Sequence, residues 1–168
     1  RFWNESFEMG EICKIIAKKT SAVDANVAFT AGIISNIGRL LLHLTTPNRA
    51  KAVQALVDEG GNRNDAELDR FQFTSPQAGA ALLELWHLPT ELCIAVLQQR
   101  APLDHAKPSP LSAVICMAEQ MMSARKKGAT AKDIVDAVSF PLVALAGIKD
   151  GLGDIAEQVV TLESMNIV

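Results

Sequence analysis

The chain has 168 residues and a formal net charge of −3, from 16 Lys and Arg against 19 Asp and Glu. Hydrophobic residues supply 49%, which excludes a disordered polyelectrolyte, and at this length roughly 70% of the unfolded surface can be buried in one core. The acidic balance excludes a strongly basic duplex-binding face, and six Phe, two Trp and no Tyr favour helix packing over a β-sandwich.

In chain order, residues 2–19 place Phe2, Phe7, Ile12, Ile15 and Ile16 at helical spacing. Asp24 is a candidate N-cap for one helix running to about His43, whose apolar centre from Ala28 to Leu44 predicts the buried central helix. Thr46-Pro47 reads as cap and first position of the next helix, which Gly60-Gly61 ends. Asn64 or Asp65 would cap a helix through Phe71. Ser75-Pro76 opens another to Trp86, and Pro89 or Thr90 starts one to about Arg100. Residues 101–110, with Pro102, Pro108 and Pro110, read as a linker. Ser109-Pro110 then opens a helix whose end carries Arg125-Lys126-Lys127, cations suited to a helix C-terminus. Thr130, Ser139-Pro141 and Asp150 or Gly151 begin the last three helices, and no strand is needed.

Nucleophile and metal signals are thin. Cys13, Cys93 and Cys116 lie apart with no CxxC spacing and read as reduced, inert core thiols of a cytoplasmic protein. No signal peptide is expected, nor an apolar run long enough to cross a membrane. His43 and His87 read as helix-end residues and His105 as a linker residue, with no HxxxH or HxxE pair. No phosphate-cradling glycine motif occurs. Trp3 and Trp86 read as core anchors, and Met117, Met121 and Met122 as core at helical spacing or, alternatively, as an adaptable groove. Gly32, Gly38 and Gly79 each cost about 1 kcal/mol against Ala within a helix, so a second helix is expected close against them.

Several segments in this order resemble one known family. They are Trp3-Asn4-Glu5-Ser6, Ala28 through Leu40, Glu67 upstream of Ser75 through Ala80, Leu83 with Trp86 and Leu88-Pro89, and Ile94 to Pro102. Together the pattern resembles the HDOD family, the regulatory branch of the HD superfamily. The resemblance implies an all-α, multi-helix HD/HDOD-like bundle. Residues 1–102 would be its core, lacking an amino-terminal helical half, and residues 103–168 a helical C-terminal continuation. The opening Arg1 is read as the start of a fragment, with the apolar face of the first helix left uncovered.

Catalytic relatives bind metal through histidines and an aspartate. The positions that the resemblance pairs with those ligands hold Glu5, Ser35, Asn36, Ser75, Gln99 and Arg100. Hydroxyls and amides are weak ligands, and a guanidinium repels cations. The expectation is therefore no catalytic residue, no metal, no cofactor and no enzyme. It is instead a signal-transduction module of bacterial regulation that contacts other signalling proteins or domains, without DNA or membrane. The six residues would form a vestigial pocket open to a polar or anionic small ligand. The alternatives are a metal-dependent phosphohydrolase and a small-ligand-binding regulatory domain.

Overall fold

The computed structural model describes residues 1–164, and every regular element among them is helical. They are α1 (Phe2–Ala17), α2 (Ala25–Ile34), α3 (Ile37–Thr45), α4 (Pro47–Asp58), α5 (Arg63–Phe71), α6 (Ser75–Leu85) and α7 (Thr90–Gln98). A 3-10 turn (Pro102–Asp104) leads to α8 (Pro110–Lys126), followed by α9 (Ala131–Ala137), α10 (Phe140–Leu145) and α11 (Leu152–Val160). Residues 165–168, the tail beyond the last helix, lie outside the described residues.

Capping fixes several of these starts. Asp24 accepts from the backbone N–H groups of Asn26 and Val27, at 2.9 and 3.0 Å. Thr130 and Asp133 form a reciprocal capping box at α9. Two expected caps are displaced, and a third stands in its place without a capping bond. Asn62, not Asn64 or Asp65, caps α5. Thr46 sits at the N-cap of α4, but its hydroxyl donates back to the Leu42 carbonyl. Thr74 forms the capping box of α6 with Gln77, so Ser75 becomes the first helical residue and its hydroxyl is released for other use.

The single helix expected from Asp24 to His43 is instead two, broken at Ser35–Asn36. The Ser35 hydroxyl donates to the Gly32 carbonyl at 2.8 Å, while the Ser35 carbonyl accepts from Gln99 Nε2 at 2.8 Å. Side-chain groups thus replace part of the backbone ladder, a recognised cause of helix kinks. The stretch Ala25–Thr45 spans 21 residues at a mean hydropathy of 1.4, so by length and composition one segment does reach membrane-crossing range, against expectation. Here it is bent, and its apolar faces divide between α1, α6 and α8.

The central buried helix is α8, not the apolar stretch that precedes it. Leu111, Ala113, Val114, Ile115, Met117, Ala118 and Met121 are all at most 2% exposed. They join Met9, Ile12 and Ile16 of α1, Ile134 of α9 and Ile155 of α11 in one hydrophobic cluster. Residues beyond the 101–110 turn therefore share a core with those before it. The apolar face of α1 is covered by α2, α8 and α11.

Two glycine contacts set the helix spacing. A Cβ on Gly32 would stand 2.7 Å from the Gly10 Cα and from the Met9 carbonyl oxygen, so α1 and α2 meet backbone to backbone. A Cβ on Gly38 would collide with the Ser75 carbonyl, which locks α3 onto the start of α6. Both contacts match the close packing expected of Gly32, Gly38 and Gly79. The tryptophans do not match: Trp3 is 53% exposed and Trp86 57%, because each lies at a helix end rather than on a covered face.

Candidate functional site

Helix α5, the start of α6 and the turn after α7 converge on one polar node. At its centre is Glu67 of α5, 1% exposed. Its carboxylate accepts from the Ser75 backbone N–H at 2.7 Å and from the Ser75 hydroxyl at 2.7 Å. Arg100 lies two residues past α7. It donates from Nη1 to Glu67 Oε2 at 2.8 Å and to Asn64 Oδ1 at 2.6 Å, and from Nη2 to the Ser75 hydroxyl at 2.9 Å and to Glu67 Oε1 at 3.3 Å. The guanidinium thereby makes a two-pronged pair with the Glu67 carboxylate, flanked by the Asn64 amide and the Ser75 hydroxyl. Burial pushes the Glu67 carboxyl up, but the Arg100 and Ser75 hydrogen bonds outweigh it and hold the group below the usual carboxylate range.

A second charged group lies beside the node. Arg39 of α3 and Arg63, the first residue of α5, both aim an Nη2 at the same acceptor, Gln54 Oε1 of α4, at 3.4 and 2.6 Å. Gln54 is oriented by donating from Nε2 to Asp58 at 2.7 Å. Among the described residues, no carboxylate lies within 4 Å of either guanidinium, the ion pairs being made by other cations. Burial and the neighbouring Arg39 bring the Arg63 guanidinium down to about 10, still charged at neutral pH. Burial, then Arg39 and Arg63, lower His43 below its usual value, which favours the neutral imidazole.

These groups line a two-lobed cleft. The inner lobe, about 220 Å³, is walled by Asn36, Arg39, Arg63, Gln99, Arg100 and residues of α8 that include Cys116, Glu119 and Gln120. The outer lobe, about 500 Å³, runs between α1 and α3–α4 past Glu5, Ser6, His43 and Lys126. Asn36, Arg39 and Glu119 belong to both walls.

The six residues singled out in the sequence are thus partly assembled. Asn36, Gln99 and Arg100 line the inner lobe, and Glu5 lines the outer, paired with Lys126 and Arg1. Ser35 and Ser75 are buried beneath the walls, their hydroxyls bonded to Gly32 and Glu67. Arg39, Arg63 and Gln54 were not singled out. Arg39 could have been, as the lone charge inside the apolar stretch from Ile37 to Leu44. His87 and His105 line neither lobe. Among the described residues, no group of three or more His, Cys, Asp or Glu side chains is placed to hold a metal ion. Cys13 and Cys93 are buried free thiols, and Cys116 is half-buried on the inner wall, pushed up to about 11 by burial and Glu119.

The chain is an all-helical bundle with a broken helix over a charged cleft, and the comparisons identify its family. The model of the HDOD domain matches residues 1–102, and the chain belongs to the HDOD domain family. Similar solved structures include a candidate phosphohydrolase from Shewanella amazonensis SB2B, at 29% identity and a TM-score of 0.79, covering 94% of this chain and 58% of that one. An HDOD domain protein with unknown function from Geobacter sulfurreducens matches at 15% identity and a TM-score of 0.69, covering 98% of this chain and 63% of that one. A candidate signal transduction protein from Marinobacter aquaeolei VT8 matches at 19% identity and a TM-score of 0.67, covering 95% of this chain and 39% of that one. The chain therefore spans less than two thirds of each of these proteins. No curated protein matches it in sequence.

Proposed function

We propose that this chain is a non-catalytic signal-transduction module of HDOD type, acting in the bacterial cytoplasm through contacts with other signalling proteins or domains. The observation that carries this reading is the Arg100 guanidinium, held on Glu67, Ser75 and Asn64 beside the inner lobe. Arg100 is neutralised by Glu67 and offers a cation no free donor, while the Arg39 and Arg63 guanidinium groups on the same wall make no ion pair among the described residues and repel one. The donors that remain on the inner wall are the amides of Asn36, Gln99 and Gln120, the Cys116 thiol and the lone carboxylate of Glu119. This set does not fit a divalent ion that must activate water. The net charge of −3 supports a partner other than DNA.

The second reading is a metal-dependent phosphohydrolase, favoured by the candidate phosphohydrolase from Shewanella amazonensis among the similar structures. Fold likeness alone does not carry activity. Incubation of the full chain with bis(p-nitrophenyl) phosphate and Mn²⁺ separates the two. The expected result is no turnover above the protein-free rate. Turnover that Glu67→Gln abolishes would overturn the non-catalytic reading.

A further inference from the structure

The polar node explains Arg100, but it leaves Arg39 and Arg63 without an ion pair among the described residues; the Glu67 and Glu119 carboxylates attract Arg63 only from beyond 4 Å. Two guanidinium groups converge on one neutral amide oxygen, Gln54 Oε1. The facing wall offers a single carboxylate, Glu119, which is solvent-exposed and makes no ion pair among the described residues. Glu5 on the outer wall pairs with Arg1 and Lys126, and Asp58, which accepts from Gln54, keeps its charge on the outer lobe. The inner cleft is therefore locally positive in a protein that is acidic overall. A planar guanidinium fork presents paired donors that match phosphate oxygens, and an amide oxygen cannot satisfy two such forks.

A separate observation concerns the same cleft. Among the described residues, the buried side-chain polar atoms with no hydrogen-bond partner are Ser6 Oγ and Gln120 Oε1. Ser6 is 2% exposed. Ser6 lines the outer lobe and Gln120 the inner. Buried polar atoms are almost always paired, so two orphans on one cleft, a hydroxyl and an amide oxygen, point to a ligand carrying both acceptors and donors.

We propose that this cleft is a receptor site for a phosphate monoester of mononucleotide size. Its phosphoryl group sits between the Arg39 and Arg63 guanidinium groups, and its polar body extends along α1 past Ser6. The inference rests on the non-catalytic reading, since the ligand is held and not cleaved. The outer lobe alone, about 500 Å³, falls within the roughly 300–1,000 Å³ of small-molecule sites.

Calorimetric titration of the full chain with inorganic phosphate and with adenosine 5′-monophosphate tests it, with free phosphate measured in parallel. The expected result is saturable binding of both, tighter for the nucleotide. Arg39→Gln should weaken both by about tenfold or more, and Arg39→Lys by less, since the charge stays and the fork is lost. Arg39 is the primary test because Arg63 opens α5; Arg63→Gln is informative where its circular dichroism and melting point match the parent. No saturable heat from either probe through millimolar concentrations overturns the site and leaves the non-catalytic reading standing. Binding indifferent to both arginines likewise overturns it. Release of phosphate from the bound monoester would instead overturn the non-catalytic reading while leaving the site in place.

Discussion

Met117 and Met121 on α8 and Glu67 on α5 are all almost fully withdrawn from solvent, yet different forces keep them there. The methionines lie in a continuous apolar cluster that draws on helices from both ends of the chain. Burial of such side chains is non-directional and scales with area, so many sequences of similar volume would satisfy it. Glu67 depends on three named partners, Arg100, Ser75 and the Ser75 backbone, at fixed distances. Removing one partner leaves a charge in a poor solvent, so this region tolerates almost no change. The α8 core supplies stability, while the node fixes the geometry at which α5, α6 and the turn after α7 meet.

The largest effect is expected where α3 meets the start of α6, beside the node. Gly38→Val drives a side chain into the Ser75 backbone, an obstacle that cannot rotate away. A loss of more than about 4 kcal/mol in urea denaturation is predicted, above the ordinary range for overpacking. An unchanged midpoint would show that α3 and α6 do not meet as described.

Next comes the ion pair. Arg100→Met should cost about 3 kcal/mol, because Glu67 is then buried without its cation. Adding Glu67→Gln should recover part of that loss, and a double-mutant cycle reads the coupling directly. Strict additivity would mean that the pair is not formed in solution. Met117→Ala should fall toward the lower end of about 2–5 kcal/mol, as the cavity is dry and flexible neighbours such as Met121 can partly fill it.

Acid sharpens the contrast further. The Glu67 carboxyl lies below its ordinary value of 4.5 in the folded protein, so its contribution is fully present above that pH. It is lost as pH falls through the lower folded value. The parent should therefore lose stability below about pH 4.5 more steeply than Glu67→Gln does in the same range. Parallel curves would remove Glu67 from the account. The smallest effect is expected at Trp86, 57% exposed, where Trp86→Ala should change stability by about 0.5 kcal/mol or less.

Much of the fold was legible in the sequence because caps, prolines and close-packed glycines act locally or through backbone sterics. Asp24, Ser109 and Thr130 cap the helices they were expected to cap. The kink at Ser35–Asn36 was only half legible: the Ser35 hydroxyl acts locally on Gly32, but the Ser35 carbonyl is held by Gln99, which is 64 residues away in sequence. Hydropathy also named the wrong central helix: α8 carries Ser112, Glu119 and Gln120 among its apolar residues, yet lies deeper than the more apolar stretch before it. Within the cleft, family likeness pointed to Asn36, Gln99 and Arg100, three residues that do share a wall. It could not point to Arg39 and Arg63, because their meaning arises where α3 and α5 converge on Gln54 of a third helix.

The non-catalytic proposal holds that Arg100, paired with Glu67, stands at a position that the family resemblance matches to a metal ligand of catalytic relatives. Calorimetric titration of the full chain with Mn²⁺ at neutral pH tests it most directly. The account predicts no saturable binding, in the parent or in Glu67→Gln. Uptake of one or two ions per chain, the number that catalytic sites hold, with Glu67→Gln abolishing it, would contradict the account.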